Sequence, residues 1–353
     1  MILSTLSLVF FAAQARVDLL DGSKSFGEIS NINLNAVTIV DSNGDELVIN
    51  NDLILEVVPT LSPEMMAAES AALKLDFMNA TNGFDDAASK ADKPYLAAYA
   101  KLKQAEAFVL WASSDASQYS TAITQLKTWV SDNSDSFWLP RAQMALSMAL
   151  AKTGDIDGAT KLMSTLSDMA FEKNLARHIE LQANVIRCHA FLIGDQAQVA
   201  QSRLASLSDK IGALVRDSET PSALLTAVRE LQSKVQILVG QAIRDTEGMA
   251  SSKSYWQALS DDSATSPVVR SAAWLGLAEA AIDGDNLRSA QLQLAKIVAT
   301  MPSSPDVTPQ ALFLLADVSN QLEDAKTSRS ALNQLSSSYP NSDWAIKAAS
   351  KGL

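Results

Sequence analysis

Residues 274–302 read WLGLAEAAIDGDNLRSAQLQLAKIVATMP. Trp274, Leu277, Ala278 and Ala281 recur at the three- and four-residue spacing of one helix face. Ala290, Leu294 and Ile297 repeat that spacing after a break. The break is Gly284-Asp285, where glycine can take the left-handed conformation that ends one helix and aspartate can cap the next. The stretch therefore predicts two helices folded back on each other. Ala278 and Ala290 are small enough to let the pair approach closely, while Trp274 and Leu277 face a neighbour. One such pair cannot bury its apolar face alone, so several must stack in series.

Working outward, the same turn recurs at Gly154-Asp155 and Gly194-Asp195. The pattern of Trp274 to Pro302 resembles the tetratricopeptide (TPR) repeat, W-x-x-L-G-x-x-Y, then A-x-x-x-F, then P. A second copy uses Leu312, Leu315, Ala316, Leu332, Leu335 and Pro340, and its ending Tyr339-Pro340-Asn341-Ser342 is similar to TPR proteins of bacterial envelopes. A third uses Leu146, Leu150, Gly154, Ala159, Met163 and Leu166. Weaker copies run through Val109, Ala122, Leu126 and Trp129, and through Arg187, Cys188, Phe191, Ala200, Leu204 and Leu207. The copies are spaced more widely than the TPR step of about 34 residues. In two of them the turn glycine falls one place early.

Four Ser/Thr-Pro pairs, Ser62-Pro63, Thr220-Pro221, Ser266-Pro267 and Thr308-Pro309, predict helix starts, with the hydroxyl as cap and proline at the first helical position. Residues 60–353 are therefore expected to form a helical repeat domain of about thirteen helices, with 221–247 as one long helix. The fold class expected is mainly α: a TPR-like α-solenoid of antiparallel helix pairs, preceded by a small five-stranded β-barrel.

That barrel is expected over residues 16–59. Val17–Leu20, Phe26–Ile32, Val37–Val40, Leu47–Ile49 and Leu53–Val57 read as five short strands. Asn43-Gly44 reads as a tight hairpin turn whose two residues both take positive φ. Closure would remove exposed edges. The stretch "VDLLDGSKSFGEISNINLNAVTIVDSNGDELVINNDLILEV" resembles the SH3-like or Sm-like barrels that open many exported bacterial proteins. Two bases (Arg16, Lys24) stand against eight acids there, a balance of −6 that would repel phosphate. The resemblance thus implies a protein-docking or spacing module rather than a reader of RNA.

Before it, Met1 to Ala15 is an apolar run ending Ala13-Gln14-Ala15, the small-x-small pattern of a signal peptide cleaved after Ala15. The expected location is the periplasm or cell envelope. No stretch approaches the roughly 20 apolar residues of a spanning helix. A net charge of −12 excludes nucleic acid as the main partner.

Chemistry is sparse. Cys188-His189 cannot act as a nucleophile and base, because adjacent helical residues point in different directions. His178 and His189 are too far apart along a helix to share a metal and read as partly exposed residues. The paired acids Asp85-Asp86, Asp155/Asp157, Asp261-Asp262 and Asp283/Asp285 fall at helix ends, where carboxylates complement the dipole. Neither a catalytic role, a metal nor a cofactor is expected. In TPR-like pairs the first helix lines a concave groove. Carried over residue by residue, that implies a protein-binding groove of Arg141, Met144, Met148, Leu275, Glu279, Gln310, Phe313 and Asp317. An apolar groove with methionines suits an extended or helical peptide. The function expected is a non-catalytic scaffold for an envelope protein partner. The alternatives are a structural subunit or homo-oligomer, and a periplasmic small-ligand-binding protein.

Overall fold

The computed structural model describes residues 14–301 and 307–352. Most of the expected leader (residues 1–13) and the repeat-ending Pro302 lie outside the described residues. Among the described residues five strands come first: β1 (Ala15–Leu19), β2 (Lys24–Ile32), β3 (Ala36–Val40), β4 (Glu46–Asn50) and β5 (Ile54–Val58). They form one antiparallel sheet in the order β4-β3-β2-β1-β5, and a short 3-10 turn at Asn51–Leu53 carries the chain from β4 back to β1's side. β2 serves two neighbours. Its first half pairs with β1 and its second half with β3, so the sheet bends where the partner changes. Gly27 sits at that change, and a Cβ there would lie 2.4 Å from the Val40 carbonyl oxygen. Val17, Ile29, Val37, Ile39, Ile49, Ile54 and Val57 are buried on the concave side.

The Asn43-Gly44 hairpin is longer than the tight turn expected. Asp41 Oδ1 accepts the N–H groups of Asn43 (2.8 Å) and Asp45 (3.0 Å), so its side chain organises the loop. Gly44 alone of the pair has a positive φ, +88°.

Among the described residues fifteen helices follow. They are α1 (Pro63–Leu73), α2 (Phe77–Lys90), α3 (Pro94–Ala112), α4 (Gln118–Asp132), α5 (Leu139–Lys152), α6 (Ile156–Glu172), α7 (Arg177–Ile193) and α8 (Ala197–Arg216). The series continues with α9 (Ser222–Glu247), α10 (Met249–Asp261), α11 (Pro267–Asp283), α12 (Leu287–Thr300), α13 (Thr308–Gln321), α14 (Ala325–Ser338) and α15 (Asp343–Lys351). Each helix packs on its neighbours in sequence, and first helices of successive pairs also touch: α3 with α5, α5 with α7, α7 with α9, α9 with α11. That double row is the packing of a TPR-like α-solenoid, with the odd-numbered helices inside. The repeat residues that define it are buried, among them Ala278, Ala290, Leu294, Ile297, Leu146, Met163, Leu166, Leu126 and Leu204. Trp274 is only half-buried; its Nε1 donates to Ser260 Oγ at 3.0 Å.

The turns divide in two. At Gly154-Asp155 glycine is left-handed (φ +91°) and Asp155 accepts from Gly158 N at 2.9 Å, as the sequence predicts. Where glycine comes one place early, the aspartate itself takes the left-handed position: Asp195 at φ +55° and Asp285 at φ +54°. The cap then moves one residue on, to Asn286 in the second case. The proline-marked starts divide likewise. Ser62 and Ser266 cap their helices, accepting from Met65 N and Val269 N. Thr308 instead falls inside α13 and donates to the Met301 carbonyl.

Thr220 is also no cap, and the reason is tertiary. The N–H groups of Ala223 and Leu224 donate to the Leu20 carbonyl of the sheet, at 3.1 and 3.2 Å, so a strand end caps α9. This is one of a row of contacts along the loops that precede the inner helices. Lys93 pairs with Glu28, Leu34 N donates to Asp135 O (2.7 Å), and Asn174 donates to Asp52 (3.3 Å). Sheet and α1–α9 consequently share one hydrophobic core, and a second core fills α11–α15. The last turn returns to the first pair: Asn341 Nδ2 donates to the Leu75 carbonyl at 3.3 Å.

Candidate protein-binding trough

The inner helices present their first turns to β5, and between them lies an open trough of about 560 Å³. Leu55 and Glu56 of β5 form one wall. Phe137 and Met144 contribute from α5 and the loop before it, His178 and Ile179 from α7, and Ala227 and Glu230 from α9. β5 is an edge strand. As a strand it pairs with β1 alone, and at its start the Ile54 N–H donates back to the Asn51 carbonyl of the 3-10 turn. Alternate N–H and C=O groups of such a strand face away from its partner and stay open to pairing.

The charges are placed unevenly. Arg141 is held by Glu106 on α3, with Nη2–Oε2 at 2.7 Å, so this cation is already neutralised. Glu56 and Glu230 form no ion pair among the described residues, leaving the trough acidic. His178, expected to be partly exposed, is 6% exposed, and its Nδ1 is buried with no hydrogen-bond partner among the described residues. Burial pushes its pKa down from 6.5 to about 4.

Of the residues implied for the groove, Arg141 and Met144 line this trough. Met148 follows one turn along α5 and is half-buried. Glu279 and Gln310 meet directly, Gln310 Nε2 donating to Glu279 Oε1 at 3.0 Å, and Arg244 reaches the same carboxylate at 3.4 Å. That chain ties α9, α11 and α13 together on the inner side, and burial raises the Glu279 pKa above its ordinary value. Leu275 is half-buried against the second core. Phe313 and Asp317 are covered by the chain itself. The Trp344 ring packs tilted against the Phe313 ring, centroids 5.4 Å apart, and Lys351 Nζ bonds Asp317 at 2.8 Å. Trp344, Lys347 and Lys351 share one face of α15, so this helix fills the inner surface of the last pair.

The helix α7 and α9 residues and the β5 wall escaped the sequence reading. α9 carries no recognisable repeat, and nothing local places a strand beside helices more than eighty residues away. Cys188 is buried, its thiol pushed up to about 11 by burial, which suits a packing residue. No helix of the described residues is long and apolar enough to cross a membrane.

No protein-family model matches the chain, and no curated protein matches it. Among solved structures it is similar to a kinesin light chain from Podosopora anserina with nearly identical TPR-like repeats, at 17% identity and TM-score 0.36, covering 60% of this chain and 97% of that one. It is also similar to PilF of Pseudomonas aeruginosa (14% identity, TM-score 0.38, 72% and 99% covered). A third likeness is to BtubC from P. vanneervenii (12% identity, TM-score 0.40, 76% and 93% covered).

Proposed function

We propose that the chain is a non-catalytic interaction scaffold of the bacterial cell envelope, holding an extended segment of a partner protein in the trough beside β5. The observation that carries this reading is the unpaired edge of β5, facing an open trough floored by three inner helices. An added strand would satisfy the free backbone groups, and alternate side chains would enter the space between Met144, Ile179 and Ala227. A basic residue in that segment would meet Glu56 and Glu230. The strand order, with a 3-10 turn leading into β5, supports an SH3-like barrel.

The test is photocrosslinking in the native host, with the reactive residue placed at Met144 or Thr226 in the trough, or at exposed Lys161 on α6. Discrete adducts with another protein are expected at the first two positions and not at the third, and Ala227→Arg, which fills the trough, should reduce them more than tenfold. Equal labelling at all three positions would defeat the proposal. An adduct of two copies of this chain would replace it with self-assembly.

Export is part of the same reading. Ala15 is buried in β1 and pairs with Gly27, so a cut after Ala15 has to precede closure of that ladder. Mass spectrometry of the chain from envelope fractions is expected to find Arg16 at the amino terminus. An intact Met1 in the cytosol would sink the export claim and leave the trough untouched.

A further inference from the structure

Apart from the trough, α7 and α8 enclose a cleft of about 160 Å³ lined by Asn184, Arg187, Cys188, Arg203, Ser206 and Lys210. Arg187 and Arg203 both lie against the ring of Phe191, at 5.9 and 5.5 Å from its centroid. Both side chains line the same cleft, and the charge of Arg203 acts on Arg187. Neither enters an ion pair among the described residues, although the chain carries a net charge of −12. Arg187 Nε is buried and has no acceptor among the described residues. Burial first, and then the facing charge of Arg203, lower the Arg187 pKa.

The acids nearby do not resolve this. Glu180 stands 3.9 Å from Lys210 Nζ, and Asp168 acts on Arg187 only through space. Asn184 spends its amide donors on Ser167 Oγ (3.1 Å) and the Glu180 carbonyl (2.9 Å), so it braces the wall. Cys188 stays a neutral thiol and adds no competing charge. An acceptor with two or more oxygens would complete both forks, relieve the repulsion between them and serve the buried Nε.

We propose that this cleft binds one oxyanion bridging Arg187 and Arg203, with Lys210 and the Ser206 hydroxyl at its rim. The space is well below the roughly 300 Å³ of a typical small-molecule pocket. It therefore admits an anionic group, a carboxylate of a bound protein or a phosphate, rather than a whole cofactor. The inference does not depend on the trough beside β5.

The full chain would be titrated with inorganic phosphate and, separately, with acetate, at ionic strength held constant with sodium chloride. Melting temperature and heats of binding are read. A saturable response is expected, weakened at least tenfold by Arg203→Gln and by Arg187→Gln. Arg203 is exposed, so its replacement leaves the packing intact. Arg229→Gln, the same charge change at an exposed position of α9, should stay within twofold of the parent. A response to phosphate alone assigns a phosphoryl group, whereas equal responses to both anions assign a carboxylate. No saturable response, or one unchanged in Arg203→Gln, overturns the site.

Discussion

Trp256→Ala is expected to cost about 3–5 kcal/mol of stability, the range for removing a large buried side chain that its surroundings cannot refill. Trp256 is 5% exposed and stands between two glycines on different helices. A Cβ on Gly240 of α9 would lie 2.1 Å from Trp256 Cζ2, and one on Gly276 of α11 would lie 2.2 Å from its Nε1. The indole thus lies flush against two helix backbones, and no neighbouring side chain is long enough to fill the slot from either glycine. Its position magnifies the loss. Trp256, Ala273 and Leu277 form a small separate cluster that shares Trp274 with the core of α11–α15, while Trp256 itself meets α9 at Gly240. Gly276→Val attacks the same slot from the other side by overpacking it, and is expected to cost about 1–3 kcal/mol or more. Half-buried Trp274 should lose less than Trp256 when cut to alanine. Urea unfolding followed by circular dichroism measures all three, and a change below about 1 kcal/mol for Trp256→Ala would mean that the indole is not clamped.

The hairpin array was legible because its signals are local. Trp274 to Ile297 contains the facing parts of both helices, their turn and the small residues at their contact within a single stretch, and the two helices form where its spacing implies. The failures follow the same logic. Thr220-Pro221 resembles Ser62-Pro63 in sequence, yet α9 takes its cap from Leu20, some two hundred residues earlier. Asp195 and Asp285 look like caps, but with glycine one place early they must supply the left-handed residue themselves. The position of Phe313 in the repeat implies a place in the groove, and it is α15, with Trp344 and Lys347 on one face, that covers it. His178 reads in sequence as a residue on one exposed helix face, whereas it is 6% exposed on the α7 wall of the trough.

That burial gives stability a pH dependence. In the folded chain the imidazole is held neutral down to a pKa of about 4, against 6.5 when unfolded, because taking its charge out of water is unfavourable and no acceptor meets Nδ1. Between those two values the unfolded chain binds more protons than the folded one, so stability rises with pH through this window. The full contribution is present above pH 6.5 and is lost as pH falls toward 4, with a difference of about 3 kcal/mol at most from this group. His189, lowered to about 4 by burial and then by Lys152, titrates in the same direction. The carboxylates beside His178, Glu56 and Glu230, face it across open trough, and neither bonds it. His178→Leu removes the titrating group and the orphaned nitrogen together, so its urea midpoint should fall much less than the parent's between pH 7 and pH 4.5. Equal slopes in the two proteins would show that the imidazole already reaches water in the folded chain, and that the trough is wetter at its α7 wall than the packing of Ile179 and Phe137 implies.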